Sequence, residues 1–223
     1  MSLKKAILAL NGEVQEGEEK YQDLIDTVDI LIAADGGAIF LESLGTVPEV
    51  VIGDMDSLSE SKLKLLQKQG IELKQFPVDK DKTDGELALD YCYNNDFSQV
   101  IILGAVGGRI DQHLANIFLM EYAHKLGMET VIREPDLEMG IITPDKCKKT
   151  FKEKQFSRLS LISLNSKVTG LTIKGCKYEI EDECIYRHKT RGISNQITQN
   201  LSEIEIKTGL LLYILKENIF TSS

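Results

Sequence analysis

Five short apolar runs constrain the fold of this chain more than anything else in it: Ala6–Leu10, Ile30–Ala34, Val50–Ile52, Ile71–Phe76 and Val100–Leu103. Each is rich in Ile, Val, Leu or Ala and is closed by Gly, Asp, Asn or Pro. Continuous rather than alternating apolar runs suit parallel strands covered on both faces. Between them lie stretches with helical spacing. Ala38–Leu44 precedes Gly45, Glu60–Gln69 precedes Gly70, and Asp111–Leu126 precedes Gly127, each glycine being a natural helix stop. Ser57 with Glu60, and Thr83 with Glu86, stand at capping-box spacing. Strands that alternate with helices predict βαβ units and a doubly wound sheet.

After about residue 130 the pattern changes. Leu159–Leu164, Val168–Ile173, Tyr178–Ile180, Ile204–Ile206 and Leu210–Leu215 are short, and several alternate apolar with polar residues. Turn residues such as Asn165-Ser166, Lys174-Gly175 and Thr208-Gly209 separate them. This is the grammar of antiparallel strands in a small sandwich. The expected architecture is an N-terminal α/β domain with a mainly parallel, doubly wound sheet over residues 1–130. An all-β antiparallel sandwich domain follows over residues 131–223. The boundary is expected between Gly127 and Asp145.

The net charge of −9 disfavours a nucleic-acid partner, whose phosphates need clustered Lys and Arg. No apolar run approaches the roughly 20 residues that span a bilayer. Met1–Lys5 leads into Ala6–Leu10 without a small-residue cleavage site, so the expected location is the cytoplasm. Cys92, Cys147, Cys176 and Cys184 form no CxxC pair and read as free thiols in a reducing compartment.

Ligands of open parallel sheets bind beyond the carboxyl ends of the strands. Four of the runs deliver acids there. Asp35-Gly36-Gly37 follows the second, and Gly53-Asp54-Met55-Asp56-Ser57 the third. Asp79-Lys80-Asp81-Lys82-Thr83-Asp84 follows the fourth, and Gly107-Gly108-Arg109-Ile110-Asp111 the fifth. Taken singly, Asp-Gly-Gly is ordinarily a turn, Asp-x-Asp a solvated loop, and Thr83 a helix cap. Their joint placement after successive strands is what points to chemistry. Crowded carboxylates repel unless a cation intervenes, and Mg²⁺ held by carboxylates and phosphate oxygens suits this donor set. The glycines let a polyphosphate approach the backbone, Gly36 and Gly37 offer N–H groups, and Arg109 offers a forked donor. These parts suit phosphoryl-type transfer. A GxxxxGK[ST] loop, a GxGxxG fingerprint and a GxSxG elbow are all missing from the sequence.

In this order the motifs resemble those of the thiamin pyrophosphokinase family, and Arg191-Gly192-Ile193-Ser194-Asn195 looks like that family's thiamin-side motif. The resemblance covers nearly the whole chain. It implies an ATP-binding α/β domain, a thiamin-binding β-sandwich, and a homodimer with thiamin at the subunit interface. It also implies that ATP and thiamin yield AMP and thiamin diphosphate. On this reading Asp54, Asp56, Asp81 and Asp111 are the catalytic acids, and Asp54, Asp56 and Asp81 hold Mg²⁺. Asp35, Gly36, Gly37, Lys82, Thr83, Asp84, Gly107 and Arg109 face the ATP phosphates. Ser194 and Asn195 contact thiamin. Asp54, Asp81 and Asp111 all stand open as the group that receives the hydroxyl proton. The match departs from the family where Gln112 stands in place of a frequent His, with His113 next, and where the chain has no Trp. A pterin acceptor is the nearest competing reading. A catalytically silent nucleotide-binding regulator is a second, and a nicotinamide-dependent oxidoreductase a third.

Overall fold

A computed structural model describes residues 3–146, 148–152 and 158–216; Cys147 lies outside them. The chain divides into two compact units, Met1–Pro135 and Asp136–Ser223.

In the first unit six strands alternate with five helices. The strands are β1 (Lys4–Ala9), β2 (Ile30–Ala34), β3 (Val50–Gly53), β4 (Glu72–Gln75), β5 (Phe97–Leu103) and β6 (Glu129–Glu134). The helices are α1 (Glu18–Ile25), α2 (Gly37–Ser43), α3 (Glu60–Lys68), α4 (Asp84–Asn94) and α5 (Ile110–Lys125). Strand order is β6-β5-β1-β2-β3-β4, and each adjacent pair is parallel. Ala6–Ala9 of β1, Leu31–Ala34 of β2 and all of β3 are buried at every position. Successive residues point to opposite faces, so both faces of the sheet centre are covered. That is why these strands read as unbroken apolar runs. At the edge, β4 has two half-buried residues between exposed ones, and its apolar signal is weaker.

The strand order places the reversal of chain direction between β1 and β5. From β1 the chain steps outward through β2, β3 and β4; from β5 it steps the other way to β6. A crevice at such a switch point is where open α/β sheets bind ligands.

Local sequence sets the helix starts. Thr83 caps α4 in a complete box: its Oγ1 accepts from Glu86 N at 3.2 Å, and Glu86 Oε2 accepts from Thr83 N at 2.8 Å. The box expected at Ser57 and Glu60 is corrected by the structure. Ser59, extended at φ −67° and ψ 153°, caps α3 and accepts from Lys62 N at 3.3 Å. Ser57 instead donates to Asp56 Oδ1 at 3.3 Å, two residues beyond Met55, whose φ is 67°. The turn made there carries the helix start further along the chain.

The second unit is antiparallel. Its strands are β7 (Leu137–Ile142), β8 (Lys148–Lys152), β9 (Arg158–Ser163), β10 (Lys167–Lys174), β11 (Ile180–Tyr186), β12 (Asn195–Gln196), β13 (Leu201–Glu205) and β14 (Leu211–Lys216). Neighbours run β12-β9-β14-β7 in one sheet and β11-β10-β13-β8 in the other. Leu159, Leu161, Leu211 and Leu215 from the first meet Val168, Leu171, Ile173 and Ile204 from the second in one core. The Tyr213 and Phe151 rings meet edge to face at 5.2 Å between centroids. Two sheets that share one core make a sandwich. Among the described residues, no helix is long and apolar enough to cross a membrane.

Ser59→Ala is expected to lower stability by about 1 kcal/mol, the usual worth of a serine cap. Ser57→Ala is expected to change it by less than about 0.5 kcal/mol. Urea unfolding of the two variants reads the difference, and equal losses would contradict the assignment of the cap.

Candidate active site

A cavity of 650 Å³ opens at the switch point of the first unit. Its floor comes from the segments after β1 and β5: Asn11 and Gly12 on one side, Gly104, Ala105 and Gly107 on the other. Here the backbones nearly touch. A Cβ on Gly12 would fall 2.2 Å from Gly104 O, and one on Gly36 would fall 2.4 Å from the Asn11 side chain. Gly36 lines the cavity, whereas a Cβ on Gly37 would fall 2.0 Å from Ala9 O. Gly37 therefore serves the packing of α2 on β1.

Three carboxylates gather at the rim of the sheet. Oxygens of Asp35, Asp54 and Asp84 lie within 4.8 Å of one another, and all three residues line the cavity. Each comes from a different element: Asp35 follows β2, Asp54 follows β3, and Asp84 opens α4. Asp35 is 7% exposed and sits at φ 42°, a left-handed conformation uncommon for a residue with a side chain. Its N–H bonds to Ile52 O at 2.9 Å. Gly53, at φ 155°, leaves room for the group: a Cβ there would lie 3.0 Å from both Asp35 Cβ and Asp84 Oδ1. Asp35 Oδ1 is buried without a hydrogen-bond partner, and Asp84 Oδ1, also buried, faces the Lys80 ammonium at 3.0 Å. Buried orphan acceptors of this kind call for an unseen donor or ion. A set made only of carboxylate oxygens fits a hard divalent cation.

The chain also supplies a cation of its own. Lys80 Nζ lies 3.0 Å from Asp54 Oδ2, which it hydrogen-bonds, and 3.0 Å from Asp84 Oδ1, where it makes an ion pair out of hydrogen-bond alignment. The Lys80 hydrogen bond holds the Asp54 carboxyl below the usual carboxylate range. Burial pushes the Asp84 carboxyl up, against the pull of Lys80. For Lys80 itself burial works downward, but Asp84 and Asp54 outweigh it and hold the ammonium above its ordinary value.

The remaining expected residues are placed as follows. Asp56, Thr83, Gly107 and Arg109 line the cavity. Arg109 is bidentate to Asp111, with Nε 3.1 Å from Oδ1 and the second guanidinium nitrogen 2.6 Å from Oδ2. That pair is largely exposed, and Arg109 holds the Asp111 carboxyl low. Asp81 and Asp111 are exposed and are not part of the cavity lining. Lys82 is also off the lining. Its Nζ is 2.5 Å from Asp90 Oδ2 and 3.2 Å from Tyr122 OH. Tyr122 OH in turn donates to Asp90 Oδ1 at 2.5 Å. In the second unit Ser194 is exposed at φ 63°, and its N–H bonds to Ser160 Oγ at 3.0 Å. Asn195 is 7% exposed. Its Oδ1 accepts from Tyr178 N at 3.0 Å and its Nδ2 donates to Tyr178 O at 2.7 Å, so its amide stitches the loop before β11 to β12.

The sequence alone assigns no role to Asn11, Lys80 or Tyr122, and it leaves that of His113 open. Asn11 follows a strand as the acids do, but carries no charge that would mark it out. Lys80 lies inside a quoted motif but stands between acids, where a lysine looks like surface. Gln112 and His113 both line the cavity, so an imidazole does reach this space one residue later than in the family pattern. His113 Nε2 is buried without a hydrogen-bond partner.

Residues 21–132 match the family described as "Thiamin pyrophosphokinase, catalytic domain", and residues 148–211 match "Thiamin pyrophosphokinase, vitamin B1 binding domain". Thiamine pyrophosphokinase of Bacillus subtilis (strain 168) is 26% identical over 189 residues, covering 85% of this chain and 88% of that protein. Thiamin pyrophosphokinase 1 of Caenorhabditis elegans is 22% identical over 219 residues, covering 94% and 88%. The crystal structure of thiamine pyrophosphokinase from Bacillus subtilis superposes with a TM-score of 0.83 at 24% identity, covering 97% of this chain and all of that one. The yeast thiamin pyrophosphokinase structure gives 0.80 at 16% identity, covering 97% and 87%.

Lys80→Gln is expected to lower the melting temperature of the metal-free chain by about 2–4 °C for each kcal/mol of lost pairing. A divalent cation is expected to stabilise this variant more than it stabilises the unsubstituted chain. Scanning calorimetry with and without chelator reads both effects, and identical gains would remove Lys80 as the cluster's counter-ion.

Proposed function

Since the chain belongs to the thiamin pyrophosphokinase family, we propose that it transfers the diphosphate of Mg-ATP to the hydroxyl of thiamin, giving thiamin diphosphate and AMP. One observation carries this reading most of the way: Asp35, Asp54 and Asp84 meet in a glycine-walled cavity at the switch point of a parallel sheet. Carboxylates crowded there suit neither an apolar ligand nor a bare anion. They suit a polyphosphate that arrives with divalent metal.

The thiamin oxygen forms a bond to the β-phosphorus, the bond from that phosphorus to the α,β-bridging oxygen breaks, and AMP leaves with the electron pair. The hydroxyl proton passes to a carboxylate or to water. Of the three acids open for that role, Asp54 lines the cavity while Asp81 and Asp111 do not, which favours Asp54 as the group that orients the hydroxyl. When bound, Mg²⁺ neutralises charge on the phosphates and on the leaving oxygen. Asp35, Asp54 and Asp84 would hold it, with Asp56 beside them; their placement favours this set over one that includes Asp81. Lys80 would then turn from the carboxylates toward phosphate. Arg109, exposed beside the cavity, can exchange its fork on Asp111 for a phosphate oxygen. Lys82, bound to Asp90 and Tyr122, would brace α4 against α5 rather than grip the triphosphate. The glycines at 36 and 107 keep side chains out of the nucleotide's path.

For the acceptor, Ser194 would bond the aminopyrimidine of thiamin, and Asn195 would shape the loop that presents it. The fixed positive charge of the thiazolium is drawn to an acidic site. The active form is read as a cytoplasmic homodimer with thiamin at the subunit interface. Ile110, Leu114 and Phe118, all exposed at four-residue intervals on α5, offer an apolar stripe of the kind that subunit contacts bury.

The deciding experiment is AMP release from Mg-ATP with thiamin, with a hydroxymethyl pterin, and with no acceptor. Release that requires thiamin is the expected result; release only with the pterin, or none, overturns the reading. Asp54→Asn is expected to cut kcat by roughly 10²–10³-fold, and near-normal turnover at saturating Mg²⁺ would reject its role. Ser194→Ala is expected to raise the KM for thiamin several-fold with little change in kcat.

A further inference from the structure

β6 ends on a carboxylate that the reaction outlined above does not use. Glu134 is 5% exposed. Its Oε2 accepts from the Tyr21 hydroxyl at 2.6 Å, and its Oε1 accepts from the Ala105 backbone N–H at 3.0 Å. Both oxygens are therefore committed inside the first unit. Burial pushes this carboxyl up to about 7, while the Tyr21 hydroxyl and the backbone amides of Ala105, Val106 and Gly104 work to keep it ionised.

Those amides belong to the loop after β5, of which Gly104, Ala105 and Gly107 line the cavity. Successive backbone N–H groups turned toward one anion form a nest, a common way of binding phosphate. Here the chain fills the nest itself. Gly104, at φ 64°, turns the loop just before the Ala105 amide that bonds Glu134. Asn116 Nδ2 holds the same loop from the other side, donating to Ala105 O at 2.9 Å. Tyr21 has no exposed surface and packs edge-on to Phe40 at 5.6 Å, so its hydroxyl has little freedom to follow a displaced carboxylate.

We propose that Glu134 is a positioning residue for the donor nucleotide: its ionised carboxylate, bonded to the Ala105 amide and to the Tyr21 hydroxyl, holds the cavity-lining loop in its binding shape. The inference rests on the reading of this cavity as the ATP site. It goes beyond that reading because Glu134 lies behind the loop and touches no substrate.

Charge is what makes the clamp strong. An ionised carboxylate accepts charge-assisted bonds at both oxygens; once protonated, one oxygen must donate, and the remaining bonds weaken by roughly half. Because burial pushes the Glu134 carboxyl up to about 7, its proton returns as pH falls toward that range. Nucleotide affinity should thus fall as pH drops through about 7. Other titratable groups surround the clamp: Tyr21 and Lys20 of α1, Glu13 after β1, Arg109 with Asp111 beyond the loop, Arg133 on β6, and His113 on α5. Lys20 Nζ donates to Pro135 O at 2.9 Å, and a Cβ on Gly107 would lie 3.1 Å from Glu13 Cβ. A variant at Glu134 itself separates its titration from theirs.

The test is calorimetric binding of Mg-ATP without thiamin, between pH 6 and 8.5, to the unsubstituted chain, Glu134→Gln and Tyr21→Phe. The unsubstituted chain is expected to bind about three- to ten-fold more weakly at pH 6 than at pH 8, about the worth of a charge-assisted bond weakened by half. Glu134→Gln is expected to bind more weakly by a similar factor at pH 8 and to show no inflection near 7. Tyr21→Phe removes a donor to the ionised form, so its inflection should move to higher pH. Unchanged affinity in Glu134→Gln, or a pH profile parallel to that of the parent, overturns the proposal. If Glu134→Gln does not fold, an unshifted inflection in Tyr21→Phe overturns it instead. Failure of the unsubstituted chain to bind Mg-ATP at any pH would sink the nucleotide reading of the cavity rather than the role of Glu134.

Discussion

Mutual repulsion among Asp35, Asp54 and Asp84 is the constraint around which the first unit is arranged. Two unit charges about 4 Å apart repel by about 4 kcal/mol at an effective dielectric of about 20. Nothing in a sheet edge tolerates three of them without compensation. The chain answers with the ammonium of Lys80, which reaches both Asp54 and Asp84. It accepts left-handed backbone at Asp35 and Met55, which turns the two segments so that their acids converge. Local strain of this sort persists only where surrounding structure fixes it. Here the fully buried centres of β1, β2 and β3 do so. The sheet is thus a rigid frame whose loop ends hold an electrostatic arrangement that would not form by itself.

Two kinds of acid result, and their surroundings separate their duties. The cluster acids lie open to the cavity, where a cation or phosphate can reach them. Glu134 is shut behind the loop after β5 and spends both oxygens on hydroxyl and amide donors. On the proposed reading, one group would meet ligand charge, and the other would supply the anion that shapes the ligand's seat. A carboxylate count alone would not distinguish them, since burial and partners decide the role.

Much of this was legible in the sequence, for physical reasons that differ by element. β1, β2, β3 and β5 could be read because strands buried on both faces need unbroken apolar runs. α4 could be read because Thr83 and Glu86 make a reciprocal pair of bonds fixed by spacing. By contrast, α1 spans only eight residues, and Tyr21, Leu24 and Ile25 are all it packs on the core, so its apolar stripe is a single turn long and gives a weak helical signal. The expected division at residue 130 falls inside β6, whose residues alternate in burial although it pairs parallel with β5. Alternation is also how antiparallel strands read, so the pattern could not locate this strand. In the site, the acids after β2 and β3 were legible as joint placement. Lys80 and Glu134 were not, because their roles depend on which oxygens they meet, and that is a property of distance rather than of order along the chain.

The packing around Gly53 has a consequence for how such a chain can evolve. Any side chain there would press on Asp35 and Asp84 at once, so this position is closed to gradual drift even though glycine itself performs no chemistry. The loops beyond β1 and β5 are held at least as tightly at Gly12 and Gly104, where an added Cβ would fall 2.2 Å and 2.5 Å from facing backbone oxygens, and a replacement at the end of β3 would push Asp35 and Asp84 out of their present spacing. Change on this scaffold is therefore channelled away from the glycines that line its cavity and seat its charges.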